Sequence, residues 1–105
     1  LVFSQPLNEC GPEEESKFYG KLSTYLMKGD LLVVKLHPRQ QSVDERYHSL
    51  GCALSVLSNK VPAEFLLPIA NYFDLFITYH SFAINDYLFN PEYKDRVLIL
   101  SDEEN

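Results

Sequence analysis

A lysine, a histidine and an arginine follow a short apolar segment in the sequence Lys-Leu-His-Pro-Arg at residues 35–39. The apolar run at residues 31–34 is typical of a buried strand in a parallel sheet. Open α/β sheets bind ligands at the carboxyl ends of such strands, and Pro38 restricts His37 to an extended backbone. Lys35 and His37 could therefore hold a phosphate, with the imidazole as a hydrogen-bond donor or a proton source. The alternative is an ordinary basic surface turn in which His37 bonds a neighbouring carbonyl.

Polar residues also stand at other junctions between predicted strands and helices. Glu9 lies in a loop rich in glycine and proline, where its carboxylate either takes a proton from a substrate hydroxyl or is simply solvated. Glu64 begins a helix, where it either complements the helix dipole or accepts hydrogen bonds from ribose hydroxyls. Ser81 stands at a predicted N-cap, where it either only caps the helix or joins backbone N–H groups in binding a phosphate; it is favoured there over His80. Cys10 has no neighbouring base that would make it a nucleophile.

Strands and helices alternate along the chain, which predicts a parallel sheet covered on both faces. The strands are expected at residues 1–4, 31–36, 53–57, 74–79 and 95–100, and helices at 12–28, 63–72 and 81–89, with a helical turn at 44–47. Gly29 should end the first helix, and Pro68 should kink the second. No GxGxxG motif follows the first strand, which disfavours a dehydrogenase-type dinucleotide site. The predicted fold class is α/β, a Rossmann-like three-layer domain with about five parallel strands.

Length and composition indicate one folded domain over residues 1–105, with 46% hydrophobic residues and a net charge of −6. The negative charge disfavours general nucleic-acid binding, although an anion can still bind where basic groups converge. The two cysteines, Cys10 and Cys52, lack the spacing of a zinc site or a disulfide framework. We predict no metal and no cofactor. Because the sequence begins with apolar residues typical of the middle of a strand, we expect it to be a piece of a longer protein.

Four segments occur in an order that resembles the carboxy-terminal half of bacterial lipooligosaccharide sialyltransferases, which are related to capsular polysialyltransferases. These segments are residues 4–11, 35–39, 61–64 and 77–81, so the resemblance covers nearly the whole chain. It implies the carboxy-terminal half of a GT-B fold, in which two Rossmann-like domains enclose a cleft and this domain binds the nucleotide sugar. It also implies transfer of sialic acid from CMP-sialic acid to a cell-surface glycan, with inversion and without a required metal.

The resemblance implies two catalytic residues. Glu9 matches the acidic residue that acts as general base, and His37 matches the histidine that meets the CMP phosphate. The sequence departs from the family at Cys10, which occupies its second acidic position, and Glu9 is one methylene longer than the family's aspartate.

The resemblance also implies a nucleotide-binding set. Lys35 and Pro38 belong to the turn that contacts the nucleotide, and Glu64 matches a contact to the ribose or the base. Ser81 matches one serine of a pair that binds the phosphate. His80 stands where the other serine is found in the family.

We therefore expect the donor-binding half of a glycosyltransferase, inactive alone because half of the cleft would belong to an amino-terminal domain. The implied partners are a CMP-sugar donor and a glycan acceptor, and not nucleic acid. The implied location is the cytoplasm, with peripheral association at the inner face of the bacterial inner membrane. One alternative is another GT-B enzyme of the cell envelope, such as a polyol-phosphate transferase. The other is a non-catalytic α/β module that binds a nucleotide or a partner chain, in which Cys10 and His80 mark a decayed site.

Overall fold

Five parallel strands form the single sheet seen in the part of the chain that the computed structural model describes, residues 1–5, 11–27, 29–79 and 82–101. The strands are β1 (Val2–Phe3), β2 (Leu31–Lys35), β3 (Ala53–Leu57), β4 (Phe76–Thr78) and β5 (Val97–Ile99). Their order is β3-β2-β1-β4-β5, and every neighbouring pair is parallel. The chain thus builds outward from β1 on one side and returns to build on the other, which is Rossmann-like. The predicted fold class is confirmed.

The first face of the sheet is covered by a helix, α1 (Pro12–Thr24). It begins at a proline, whose missing N–H costs nothing in the first turn, and glutamates at 13–15 complement the positive end of its dipole. Its buried side chains pack with apolar residues of β1, β2 and β4 in one cluster. The members of this cluster from the helix are Phe18, Tyr19 and Leu22, and those from the strands are Val2, Leu32, Val34 and Ile77.

The prediction that Gly29 ends α1 was wrong. The helix ends at Thr24, and Gly29 adopts a positive φ of 97° in the following turn. That turn is closed by Asp30, whose side chain accepts a hydrogen bond from the Met27 N–H at 2.8 Å while its own N–H donates to the Met27 carbonyl at 3.0 Å. The glycine therefore serves the turn into β2, because its backbone is free to take a left-handed conformation.

The second face of the sheet carries an aromatic cluster. Alternation along the strands directs Phe3 and Phe76 to this face while their neighbours face α1. Phe76 stacks on Tyr87 with 4.4 Å between ring centroids, and Tyr93 packs edge-on against Phe76 at 5.5 Å. The other buried members of the cluster are Leu1, Leu66, Ala70 and Ile84. The sheet is therefore the middle one of three layers.

The connections on this second face are 3₁₀ helices and short helical turns rather than long α-helices. The segment Ala63–Tyr72 is a 3₁₀ helix, and Ile69 leaves helical geometry directly after Pro68, so the predicted kink is confirmed. The helix predicted at residues 81–89 is instead a 3₁₀ turn, Phe82–Ile84, followed by the four-residue α2 (Asn85–Leu88). A helix of four residues has almost no macrodipole. Its dipole therefore adds little attraction for a phosphate.

Two further 3₁₀ helices complete the described structure. Glu45–Leu50 replaces the helical turn predicted at residues 44–47, and Lys94–Arg96 leads into β5. Asp44 caps the first of them, since its carboxylate accepts a hydrogen bond from the Arg46 N–H at 2.9 Å. This segment packs against α1, where the ring of Tyr47 lies edge-on to that of Tyr19 at 5.1 Å.

Candidate functional site

A cavity of about 670 Å³ opens where β1, β2 and β3 end. Its walls are formed by residues that directly follow these strands and by the start of the 3₁₀ helix Ala63–Tyr72. Lys35, His37, Pro38 and Glu64 all line it. We call this the carboxyl-edge cavity. It brings together four residues that the sequence analysis drew from two separate segments, and it lies where open α/β sheets bind ligands.

The remaining predicted site residues lie outside the described residues. They are Glu9, His80 and Ser81, together with Cys10, the departure noted beside the predicted base. Their roles stay predictions made from the sequence.

Lys35 is the most unusual residue of the cavity, because it is a lysine only 4% exposed. Its ammonium group donates a hydrogen bond to the Leu36 carbonyl. Among the described residues, no carboxylate lies within ion-pair distance of its Nζ. Burial consequently lowers the pKa of Lys35 below its usual value. A buried cation without a counter-charge is destabilising by itself, and an anion entering the cavity would relieve that cost.

His37 is held in a defined tautomer by the turn that follows β2. Its Nδ1 accepts a hydrogen bond from the Arg39 N–H at 3.1 Å. In the neutral imidazole the proton therefore belongs to Nε2, which is a hydrogen-bond donor without any need for protonation. The bond from the Arg39 N–H ties the imidazole to the backbone of its own turn.

Two carboxamide side chains tie the loops of the cavity together, and the sequence analysis missed both. The Gln40 side chain accepts from the His37 N–H at 2.9 Å and donates through Nε2 to the Gln5 carbonyl at 3.3 Å. The Asn59 side chain donates to the Pro38 carbonyl at 3.4 Å. The loops after β1, β2 and β3 are thus joined side to side. The signal in the sequence was an amide residue close to each strand-ending turn, which is common in turns of any function.

The part of the cavity lining that leads into the 3₁₀ helix is apolar, and a carboxylate follows it in the sequence. Val61, Pro62 and Ala63 form this part, followed by Glu64, which is exposed in the first turn of the 3₁₀ helix. Lys60, an exposed cation that the sequence analysis missed, also lines the cavity. The lining of the cavity therefore combines apolar side chains with two lysines and a carboxylate that can accept hydrogen bonds. That combination suits a ligand with an anionic group and a flat or hydroxylated body.

Behind the cavity wall, the end of β1 meets a buried tyrosine. The hydroxyl groups of Ser4 and Tyr47 are both buried at this contact. Burial raises the pKa of Tyr47 to about 12, so its hydroxyl stays protonated at neutral pH. We assign it no part in proton transfer.

The comparisons with known proteins add no relative. No protein-family model, curated protein or solved structure matches the chain. The fold and the cavity together define an α/β domain of Rossmann-like topology with a cavity at the carboxyl ends of three of its strands. The likeness to sialyltransferases depends on the four sequence segments alone, and the activity it implies is therefore a proposal.

The described residues contain neither a metal-binding cluster nor a membrane-spanning helix. No three side chains of His, Cys, Asp or Glu lie together there as a metal site would require. Within the same residues, none of the helices has the length and apolar character needed to cross a membrane.

Proposed function

We propose that this chain is the donor-binding domain of an inverting glycosyltransferase similar to bacterial sialyltransferases, and that the carboxyl-edge cavity takes the CMP part of CMP-sialic acid. The observation that carries the proposal is Lys35, a buried cation with no carboxylate within ion-pair distance among the described residues, which lines the same cavity as His37 and Glu64. Such a group favours an anionic ligand, because the ligand's charge offsets the desolvation of the ammonium. The phosphate of a nucleotide sugar meets that need.

The proposed role of the cavity in the reaction concerns the leaving group. Glu9 takes the proton of an acceptor hydroxyl, and that oxygen forms a bond to the anomeric carbon of the donor. The bond from the anomeric carbon to the phosphate oxygen breaks, and its electron pair leaves with CMP. Lys35 and the Nε2–H of His37 then stabilise the charge that develops on the phosphate. Fixed donors aimed at developing charge are usually the largest contribution to such a rate.

The rest of the cavity suits a nucleoside. The apolar wall at Val61, Pro62 and Ala63 offers a surface for the sugar and base, and the exposed carboxylate of Glu64 can accept hydrogen bonds from the ribose hydroxyls. Ser81, His80 and Pro38 keep the nucleotide-binding roles that the resemblance implies. The acceptor glycan would bind outside this cavity, with the amino-terminal domain that the resemblance also implies.

A nucleotide titration tests the binding half of this proposal. CMP is added to the ¹⁵N-labelled chain, with UMP, AMP and inorganic phosphate as comparisons. We expect CMP to shift the amide signals of His37 and Glu64 in a saturable way and to bind more tightly than phosphate alone. Amide signals that do not move with any nucleotide would refute the proposal.

A donor panel tests the catalytic half. In the longer protein that the resemblance implies, we expect CMP-sialic acid to be hydrolysed or transferred in preference to other nucleotide sugars. Turnover of a different nucleotide sugar would favour another GT-B enzyme. CMP binding without turnover of any donor would instead favour a non-catalytic nucleotide-binding module.

A further inference from the structure

We infer that Gln40 is a positioning residue of the carboxyl-edge cavity, one that holds the His37 turn and the loop after β1 in a fixed relation. The inference rests on the proposed function, because that proposal gives His37 its role at the phosphate. No motif in the sequence indicates Gln40, and the resemblance assigns it nothing.

Gln40 bonds the backbone of His37 on both sides. The His37 N–H donates to Oε1 of Gln40 at 2.9 Å, and the His37 carbonyl accepts from the Gln40 N–H at 2.8 Å. A single residue therefore satisfies both backbone polar groups of the histidine. Pro38, which lies between them, stiffens the turn because its φ is fixed. The imidazole thus starts from a backbone that cannot rotate without breaking one of these bonds.

Gln40 also bonds Gln5, which follows β1. The same Gln40 side chain donates through Nε2 to the carbonyl of Gln5, 35 positions earlier in the chain, at 3.3 Å. Gln5 immediately precedes residues 6–10, the segment that contains the proposed base Glu9. Thr78, at the end of the neighbouring strand β4, bonds the end of β1, because its hydroxyl donates to the Phe3 carbonyl at 3.2 Å. Gln40 therefore connects Gln5, the last described residue before that segment, to the turn of the proposed phosphate ligand.

The two bonds of the Gln40 side chain require a carboxamide. The side chain must accept a bond at one atom and donate at the other, and only a carboxamide of this length does both here. Glutamate keeps the acceptor for the His37 N–H but places a carboxylate oxygen against the Gln5 carbonyl. Alanine removes both bonds and leaves the His37 N–H without its partner. The two substitutions therefore separate the local bond from the connection between loops.

The test compares Gln40→Ala and Gln40→Glu with Gln41→Ala, an exposed neighbour of the same type as matched control. In the ligand-free protein, ¹⁵N and ¹H signals of the His37 ring and the ¹³C signal of the Gln5 carbonyl are recorded. We expect Gln40→Ala to change both sets and Gln40→Glu to change mainly the Gln5 carbonyl. Gln41→Ala should leave both unchanged. Melting temperatures measured alongside identify any general loss of structure, which would shift signals throughout the sheet.

Nucleotide affinity is the second readout. Gln40 acts on the nucleotide only through the position of His37, so we expect Gln40→Ala to weaken CMP binding about two- to tenfold, the value of a single neutral hydrogen bond. Gln41→Ala should leave CMP binding unchanged. Ring and carbonyl signals in Gln40→Ala that match those of Gln41→Ala would overturn the inference, whether or not CMP binds. If the wild-type chain fails to bind CMP, the proposed function is refuted separately, and the signals of the ligand-free protein still decide whether Gln40 holds the two loops.

Discussion

Replacing Lys35 by methionine separates binding from folding more sharply than any other single change in the carboxyl-edge cavity. Methionine keeps an unbranched apolar stem of similar length and removes only the ammonium group. If the lysine is buried to bind an anion, Lys35→Met must lose affinity for CMP and for phosphate without loss of stability. If the lysine only supports the fold, Lys35→Met must lower stability and leave the affinity for CMP and phosphate unchanged.

The size of the binding effect follows from the contact that is lost. A hydrogen bond to a charged group is worth about 1.5–3 kcal/mol. At about 1.4 kcal/mol for each tenfold change, this predicts CMP binding weaker by about 10- to 150-fold. The matched control is Lys94→Met, since Lys94 is exposed and precedes β5, at the opposite edge of the sheet from the cavity. We expect this control to bind CMP like the wild type.

The effect on stability has the opposite sign from the usual loss of a buried side chain. Burial lowers the folded-state pKa of Lys35, so at neutral pH the charged form is less favourable in the folded chain than in the unfolded chain. Lys35→Met removes that cost together with the bond to the Leu36 carbonyl. In the absence of ligand we therefore expect Lys35→Met to be as stable as the wild type or more stable.

The lowered pKa of Lys35 also determines how its contribution to stability depends on pH. Between the lowered pKa of the folded state and the ordinary value of 10.5, the unfolded chain binds more protons at Lys35 than the folded chain does. The contribution of Lys35 to stability therefore rises with pH through this window and levels off near 10.5. Urea denaturation of wild type and Lys35→Met across this range, with CMP titrations at neutral pH, measures both effects. A Lys35→Met variant that is less stable by several kcal/mol and binds CMP normally would refute the reasoning.

Two further predictions concern the structure that supports the sheet. Asp44→Ala removes the bond to the Arg46 N–H that caps a 3₁₀ helix, and we expect a loss of about 1 kcal/mol in urea denaturation; an unchanged midpoint would show that the cap contributes nothing. Arg96→Lys removes a planar guanidinium that lies 5.5 Å from the ring centre of Phe76 and 5.3 Å from that of Tyr93. We expect it to cost about 1–2 kcal/mol by the same assay, and a value near zero would contradict this stacking role.

Local patterns in the sequence were sufficient for most of the framework. The apolar runs predicted the central strands, and β3 begins and ends at residues 53 and 57 as expected. Pro12 marked the start of α1, and Pro68 marked the break in the following helix. Each of these signals is local, because proline restricts the backbone at its own position and apolar runs indicate burial directly.

The errors came from contacts that are distant in sequence or specific to one turn. Gly29 carried a helix-stop signal, but the side-chain bond of Asp30 to the Met27 N–H gives it a different turn. The helix predicted at residues 81–89 had suitable residues along its length, yet only Asn85–Leu88 is α-helical. Helical propensity is a weak guide over so short a segment, since packing decides whether a marginal helix forms.

The candidate site shows the same division. Lys35 and His37 were predicted from their place behind a strand, and Glu64 from its place at a helix start. The burial of Lys35 was not predictable, because a lysine at the end of a strand is normally solvated and its exclusion from water depends on the surrounding loops. Gln40 was missed because its partner Gln5 lies 35 residues away in sequence, and no local pattern reports such a bond.

The pKa of Lys35 with and without CMP is the measurement that addresses the central claim most directly. The side chain is labelled with ¹³C at Cε, and its chemical shift is followed against pH in the free protein and at saturating CMP. A phosphate next to the ammonium favours the protonated form, so we predict that CMP raises this pKa toward the ordinary lysine value. Identical titration curves in the two samples would mean that the buried cation does not meet the nucleotide, and would contradict the account.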